Sequence, residues 1–265
     1  MKSNKIENVE QYSGNLGNIA ESIIKNNELP KNTILLNKDI MPSKGKFYPN
    51  DIYIKKLTST ELKNLSTVTE TNVNNVFNTV LSKNVIGVDV NDIMLNDKIW
   101  FIFYLRSVTY NDLKYKIKYH CDECGTNDTY DTSFNDIKVN YISDDVENTI
   151  EMDDNTKLEV GYTTIGDETQ CLQISKNNDM LVEAVDEDML LFATKLKKIN
   201  GEKISLMKAY DYIINMDGMT FAKFAHFVDR VEFGIKPYLE IDCKCGAKVH
   251  TNLVYSADFF IPKIV

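Results

Sequence analysis

Residues 113–125 read Leu-Lys-Tyr-Lys-Ile-Lys-Tyr-His-Cys-Asp-Glu-Cys-Gly, and residues 238–246 read Tyr-Leu-Glu-Ile-Asp-Cys-Lys-Cys-Gly. In the first stretch apolar and cationic side chains alternate, which predicts a strand with one buried face. Both stretches end in two closely spaced cysteines followed by a glycine, a residue that tolerates the positive φ of a tight turn. Because strand-like residues follow each turn, the sequence predicts two hairpins with cysteines at their tips.

The four hairpin cysteines predict one metal site. A short turn that carries two cysteines, called a cysteine knuckle, lets both sulfurs face the same tetrahedral ion. Four thiolates favour zinc over harder ions. Two alternatives stay open: cysteine pairs without metal or with redox chemistry, and a mixed site in which His120 or His250 replaces a cysteine. Four cysteines would fill the coordination shell, so we expect a structural zinc that clamps the C-terminal strands. The predicted ligands are Cys121, Cys124, Cys243 and Cys245.

The fifth cysteine, Cys171, falls in a predicted helix, where a buried small hydrophobe is the favoured interpretation. Two common catalytic motifs are missing from the sequence, which has neither a phosphate-binding glycine loop nor a nucleophile elbow. His226 lies in a predicted helix beside phenylalanines, which favours a packing or surface role. The sequence therefore predicts that the protein is not an enzyme.

Composition narrows the class further. The 265 residues include 30 basic and 39 acidic side chains, for a net charge of −9. This balance disfavours non-specific nucleic-acid binding, although Lys114, Lys116 and Lys118 would line one face of the first cysteine strand. No apolar run is long enough to span a membrane, so we expect a soluble intracellular protein with reduced cysteines.

The order of the predicted elements favours an α+β protein of two lobes, with the zinc-ribbon-like cysteine hairpins enclosing an inserted helical lobe. We predict a flexible N-terminal arm over 1–33 with a short helix near 19–25. An N-terminal α+β lobe over 34–144 carries the first cysteine hairpin. A mainly helical lobe follows over 145–236, and a C-terminal hairpin over 237–265 completes the zinc site.

Several finer expectations concern helix ends. Thr58 and Glu61 form a capping-box pattern, and Asn96 or Asp97 is the expected cap of a central apolar helix. A helix over about 184–197 is predicted from an acidic start and a basic end, with Gly201 placed where a helix stop is expected. Further helices are predicted over 167–176, 204–216 and 219–231.

Several short motifs occur in an order that resembles a known family. Residues 41–49 read Met-Pro-Ser-Lys-Gly-Lys-Phe-Tyr-Pro, and residues 54–61 read Ile-Lys-Lys-Leu-Thr-Ser-Thr-Glu. Leu-Asn-Asp at 95–97, Leu-Arg-Ser-Val-Thr-Tyr at 105–110 and the first cysteine knuckle follow. In this order they resemble the baseplate hub assembly and structural proteins of T-even-type contractile-tailed bacteriophages.

The resemblance implies a non-enzymatic structural component or assembly factor of the tail baseplate hub. It implies other baseplate and tail proteins as partners, in an assembly compatible with oligomers, without membrane association. The implied location is the host cytoplasm during assembly, with the virion tail baseplate as a second location. We expect contact surfaces on the 41–49 loop, on the arm and on exposed aromatics at Phe259 and Phe260. The alternative is a zinc-ribbon nucleic-acid-binding module of a phage transcription or replication factor.

Overall fold

The computed structural model describes residues 31–145, 147–178, 185–236, 238–253 and 257–262. Within them the protein is of the mixed α+β class that the sequence predicts, with helices and small antiparallel sheets interleaved along the chain. Residues 1–30 of the predicted arm, and the short helix expected near 19–25, lie outside the described residues.

A three-stranded antiparallel sheet with three helices forms the first part of the fold. Its elements are β1 (Thr33–Leu35), β2 (Tyr53–Lys55), α1 (Ser59–Ser66), α2 (Val73–Asn84), β3 (Val85–Ile86) and α3 (Leu95–Tyr110). The strand order is β1-β2-β3. The predicted capping box starts α1: the Thr58 hydroxyl accepts the Glu61 N–H, and the Glu61 carboxylate accepts the Thr58 N–H at 2.7 Å.

The start of α3 corrects one prediction. The helix begins at Leu95 after Met94, and no side chain caps it. Asp97 is fully buried instead, because it accepts hydrogen bonds from the Ser43 N–H at 3.1 Å and from the Tyr48 hydroxyl at 2.8 Å. These bonds fasten the 41–49 loop against α3.

That loop is therefore less exposed than a contact surface requires. Met41, Ser43 and Tyr48 are buried. Its two lysines reach the surface, where Lys44 and Lys46 both form ion pairs with Asp144, at 3.3 Å and 3.0 Å. The loop is mostly a core element, and its lysines alone offer charge to a partner.

The first cysteine hairpin follows α3. It is made of β4 (Tyr115–His120) and β5 (Asn127–Thr132), which pair antiparallel from Tyr115 opposite Thr132 to His120 opposite Asn127. Buried and exposed residues alternate along β4, as the sequence predicts. The short strand β6 (Val139–Asn140) comes next.

The middle of the chain combines a four-stranded sheet with four helices. The strands are β7 (Thr149–Glu151), β8 (Lys157–Val160), β9 (Leu196–Ile199) and β10 (Glu202–Lys203), in the order β10-β9-β8-β7. The helices are α4 (Ile165–Asn178), α5 (Glu187–Ala193), α6 (Leu206–Ile214) and α7 (Gly218–Val231). Helices α4, α6 and α7 overlap the predicted ones closely.

The predicted helix over 184–197 is wrong in its second half. Helix α5 starts as expected, since the Asp186 carboxylate accepts the Met189 N–H at 2.9 Å, but it ends at Ala193. Lys197 and Lys198, at the basic end of the predicted helix, lie in β9, which pairs with β8. Gly201 is therefore not a helix stop; with Asn200 it makes the turn between β9 and β10, and both residues have positive φ.

The chain closes with β11 (Gly234–Ile235), β12 (Tyr238–Asp242), β13 (Lys248–Asn252) and α8 (Ala257–Phe260). Strand β11 pairs with β6, and β12 pairs with β13 to form the second cysteine hairpin. Phe259 and Phe260 are 2% and 0% exposed, which corrects the expectation of exposed aromatics.

Two hydrophobic cores organise the described residues. Buried members of the first lie within 36–137 and 239–260, with Ile165 between, whereas those of the second lie within 152–231. The two cores touch: the Lys98 ammonium on α3 binds the Glu168 carboxylate on α4 at 2.7 Å, and both side chains are largely buried. The division of the chain at 33, 144 and 236 stays a prediction.

Candidate metal centre

The turn between β4 and β5 places the first cysteine pair. The Cys121 N–H bonds to the Thr126 carbonyl at 2.9 Å, and the Gly125 N–H bonds to the Cys121 carbonyl at 2.8 Å. Gly125 has φ +70° and nothing within 4 Å of an added Cβ, so backbone conformation alone favours glycine there. The turn brings Cys121 and Cys124 to the tip of the hairpin.

The turn between β12 and β13 repeats this arrangement with one residue fewer between the cysteines. The Cys243 N–H bonds to the Ala247 carbonyl, and the Gly246 N–H bonds to the Cys243 carbonyl, both at 2.8 Å. Gly246 has φ +90°. The shorter spacing therefore still produces a hairpin tip with two sulfurs, Cys243 and Cys245.

The two tips meet. All four sulfur atoms lie within 4.8 Å of one another, and the described residues hold no other such group of potential ligands. Two distances run between the hairpins: Cys121 to Cys245 and Cys124 to Cys243 are each 3.7 Å, sulfur to sulfur. Cys121 and Cys243 are buried, whereas Cys124 and Cys245 are exposed. The cluster could hold one metal ion.

The thiols differ in how readily they ionise. Hydrogen bonds from the Thr126 side chain and backbone lower the pKa of Cys124 to about 6. The Ala247 N–H lowers the pKa of Cys245, but the neighbouring sulfurs, Cys243 first, outweigh it and raise that pKa to about 12. Crowded sulfurs cannot all carry negative charge unaided, so a cation is the natural counterpart of this cluster.

Neither histidine joins the sulfur cluster. His120 is exposed and contacts the Asn127 side-chain oxygen through Nδ1 at 3.0 Å. His250 is also exposed, and its ring stacks on Tyr238 with 5.0 Å between centroids. The geometry favours the four-cysteine set over the mixed alternative.

The other single residues that the sequence drew attention to lie elsewhere. Cys171 is buried in the second core, which confirms the predicted buried small hydrophobe, and burial raises its pKa to about 11. His226 is exposed on α7. Lys116 and Lys118 are exposed on β4, opposite Asp131 and Thr129 of β5, so a carboxylate lies beside this lysine face.

A cavity of about 320 Å³ lies between α3 and the chain after α7. Its polar side chains bind one another: Lys195 and Asn96 both donate to the Glu232 carboxylate. Asn96 also donates to the Phe233 carbonyl at 2.8 Å. In this group the Lys195 ammonium and the Glu232 carboxylate neutralise each other, and Asn96 binds the second carboxylate oxygen.

Sequence reasoning missed the buried charges of α3. The exposed fractions of Asp97, Lys98 and Arg106 are 0%, 3% and 1%. All three lie on the helix that is predicted from its apolar residues. The sequence does contain a signal for them, namely charged residues inside an otherwise apolar helix. Such residues are almost never fully buried unless they are paired, so each one indicates a partner. Their partners, however, come from distant parts of the chain and could not be read from the sequence.

The fold and the site define a mixed α+β protein with a zinc-ribbon-like cluster of four cysteines at the meeting point of the β4–β5 and β12–β13 hairpins. No helix among the described residues is both long enough and apolar enough to cross a membrane. A comparison with protein families matches residues 34–261 to the T4 bacteriophage base plate protein family. The match covers most of the chain, and the protein belongs to this family. Searches of curated proteins and of solved structures found no match.

Proposed function

We propose that this protein is a non-enzymatic component or assembly factor of a phage tail baseplate, within or beside its hub, and acts through contacts with other tail proteins. The observation that carries the proposal is the family match over residues 34–261. The host cytoplasm, followed by the virion tail, is the location that such a role implies.

The partners of the buried charged groups on α3 support a structural role. The buried charged groups have structural partners: Asp97 binds a loop, and Lys98 binds Glu168. Buried charges are retained when they are paired, and pairs of this kind fix one arrangement of the elements they join. The polar side chains that line the cavity beside α3 likewise bind one another.

We propose further that the four cysteines bind one structural zinc ion. Zn–S bonds of about 2.3 Å in a tetrahedron place the sulfurs about 3.8 Å apart, close to the two 3.7 Å distances between the hairpins. Sulfur ligands suit zinc, and four of them leave no open position for substrate. Bound there, the ion would tie β4–β5 to β12–β13.

The baseplate role is tested by affinity purification of the tagged full-length protein from phage-infected cells. We expect tail or baseplate proteins to co-purify, at a constant ratio across a salt gradient that strips weak ionic contacts. Recovery of host polymerase with no tail protein would overturn the proposal.

The nucleic-acid alternative has one supporting observation, the exposed Lys116 and Lys118 face of β4 beside the cysteine cluster. Titration of the protein with duplex DNA and with single-stranded RNA at low salt decides it. We expect no tight binding, because the chain carries a net charge of −9. Tight binding whose affinity falls steeply with salt would favour the alternative.

Zinc binding is tested by elemental analysis of the purified protein, with two serine variants. We expect about one zinc per chain in the wild type, and loss of most of it in Cys121→Ser, because a four-ligand site loses a buried ligand. Cys171→Ser is the matched control, since Cys171 is equally buried but lies in the other core. A metal-free wild type, or equal zinc content in both variants, would contradict the proposal.

A further inference from the structure

The outer face of the first sheet carries an apolar row that the described chain covers only in part. Leu35 on β1 lies opposite Tyr53 on β2, and Tyr53 lies opposite Ile86 on β3. Residues directly opposite one another share a face of a sheet, so these three side chains form a continuous row. Leu35 is 59% exposed, and Tyr53 and Ile86 are partly exposed.

The opposite face of the same sheet is the core face. Ile54 lies opposite Val85, and the two are 0% and 3% exposed. Because side chains alternate along a strand, Tyr53 and its neighbours must point away from this core. The row of Leu35, Tyr53 and Ile86 accordingly belongs to neither hydrophobic core.

The row has a cationic end. Lys55 follows Tyr53 by two residues and therefore shares its face, and Lys31 lies in the turn that leads into β1. Neither Lys31 nor Lys55 forms an ion pair with a described residue. The nearest carboxylate effect is a minor one, in which the Lys55 charge helps to lower the pKa of Glu61. At the other end Asp51, exposed, precedes β2 by two residues.

This charge arrangement indicates the chemistry of the occupant. A second copy of the chain would set Lys31 and Lys55 against the single Asp51 at each end and leave positive charge uncompensated. A segment with apolar side chains and several carboxylates at one end would cover the row and neutralise the lysines. Charge complementarity of this kind orients partners and suppresses wrong ones.

We infer that the row of Leu35, Tyr53 and Ile86 is the docking surface for an apolar segment of another baseplate protein, one whose acidic end meets Lys31 and Lys55. The inference rests on the proposed baseplate function and specifies the surface through which it operates. Exposed apolar rows flanked by charge are typical of protein interaction sites.

The test places a benzophenone photo-crosslinking amino acid at position 35 of the full-length protein, expressed in infected cells that lack the native copy. The control protein carries it at position 219, because Met219 is 76% exposed on α7. Mass spectrometry then identifies the crosslinked peptides. We expect position 35, and not position 219, to crosslink a tail-protein segment with more Asp and Glu than Lys and Arg.

A charge variant adds a second readout. Lys55→Glu should lower the crosslink yield about twofold to fivefold, the usual range for an exposed ion pair. Lys208→Glu, which alters an exposed lysine of α6, should leave the yield unchanged. An equal loss in both variants would overturn the inference, since net charge rather than this surface would then control binding.

Other occupants would also overturn the inference. These outcomes are a crosslink to a second copy, to residues 1–30 of the same chain or to nucleic acid, and the absence of any crosslink. Failure of the docking surface and of the proposed function are distinguishable. If tail proteins co-purify while position 35 crosslinks none of them, the docking surface is wrong and the baseplate role stands. If no tail protein co-purifies, the baseplate role itself fails.

Discussion

Three charged side chains of α3 have separate structural tasks. Asp97 binds the 41–49 loop, Lys98 binds Glu168 on α4, and Arg106 binds the last helix. A buried charge is costly to leave without a partner. Each of the three therefore requires its particular partner segment to be in place. Helix α3 thus fixes the positions of the 41–49 loop, α4 and α8 relative to itself.

Asp97 gives the protein a pH dependence that can be measured. Burial raises the pKa of Asp97 to about 6, although hydrogen bonds from Ser43 and Tyr48 lower it. Because the folded protein binds this proton more tightly than the unfolded chain does, protonation of Asp97 stabilises the fold. The stabilisation is complete below about pH 4 and is lost as the pH rises through 6. Between pH 5 and pH 7 the wild type should lose about 1 kcal/mol of unfolding free energy more than Asp97→Asn.

Urea denaturation of both proteins at pH 5, 6 and 7 measures this difference. The two proteins carry the same cysteines, so pH effects on metal binding cancel in the comparison. Asp97→Asn should be less stable overall, because an amide cannot accept both hydrogen bonds that the carboxylate accepts. Parallel pH profiles in the two proteins would show that Asp97 does not titrate in this range.

Arg106 is expected to resist conservative replacement. Its Nε donates to the Phe259 carbonyl at 2.7 Å and its Nη1 to the Leu113 carbonyl at 2.8 Å, while the guanidinium lies 4.6 Å from the Tyr115 ring centroid. Lysine cannot supply a planar fork. Arg106→Lys should lower the unfolding free energy by about 3 kcal/mol and speed hydrogen exchange over 257–260.

The chain's other arginine provides the control. Arg230 is exposed on α7, 4.8 Å from the Phe227 ring centroid. Arg230→Lys should change stability by less than about 0.5 kcal/mol, as surface substitutions usually do. Similar costs for the two variants would mean that the Phe259 and Leu113 contacts contribute little.

At the scale of elements, the β9–β10 hairpin depends on its turn. Gly201 has φ +82° and open space around an added Cβ, so only backbone strain opposes a larger residue. Gly201→Ala should lower stability by about 1 kcal/mol. Gly218→Ala is the control, because Gly218 also has open space but starts α7 without positive φ; it should be neutral or stabilising. Thermal melts with a shift of about 2–4 °C per kcal/mol resolve the two.

The same hairpin shows what sequence patterns can and cannot provide. Asn-Gly at 200–201 is a strong hairpin signal. The segment before it, however, has an acidic start and a basic end, which fit a helix dipole equally well. Periodicity cannot separate the two for the short run at 196–199. The strand forms because β8 is available to pair with β9, a contact between distant parts of the chain.

Local rules were sufficient elsewhere. The Thr58 capping box and the alternation along β4 were predictable because they involve neighbours in sequence. The meeting of the cysteine tips was predictable from ligand chemistry rather than from packing. By contrast, the burial of Phe259 is not predictable from its neighbours in sequence, because its ring packs on Phe103 and Tyr115, far away along the chain.

At the scale of the whole molecule, metal removal should loosen one region selectively. Chelation would release the tie between β4–β5 and β12–β13, whereas the second core has no ligand in it. Hydrogen exchange in the presence of a zinc chelator should therefore rise over 238–253 and 257–262 and stay unchanged over 206–231. A uniform rise across both regions would show that the two cores unfold together.

The two cores differ in when their residues become available during translation. Every described buried member of the second core precedes residue 232, whereas the first core also includes Leu239, Ile241 and Phe260. Domains fold as synthesis delivers them. The middle of the chain can thus fold while the ribosome still holds the final strands. The first core begins earlier in the chain but is completed only after Phe260 has been synthesised, so its apolar surface stays exposed for longer.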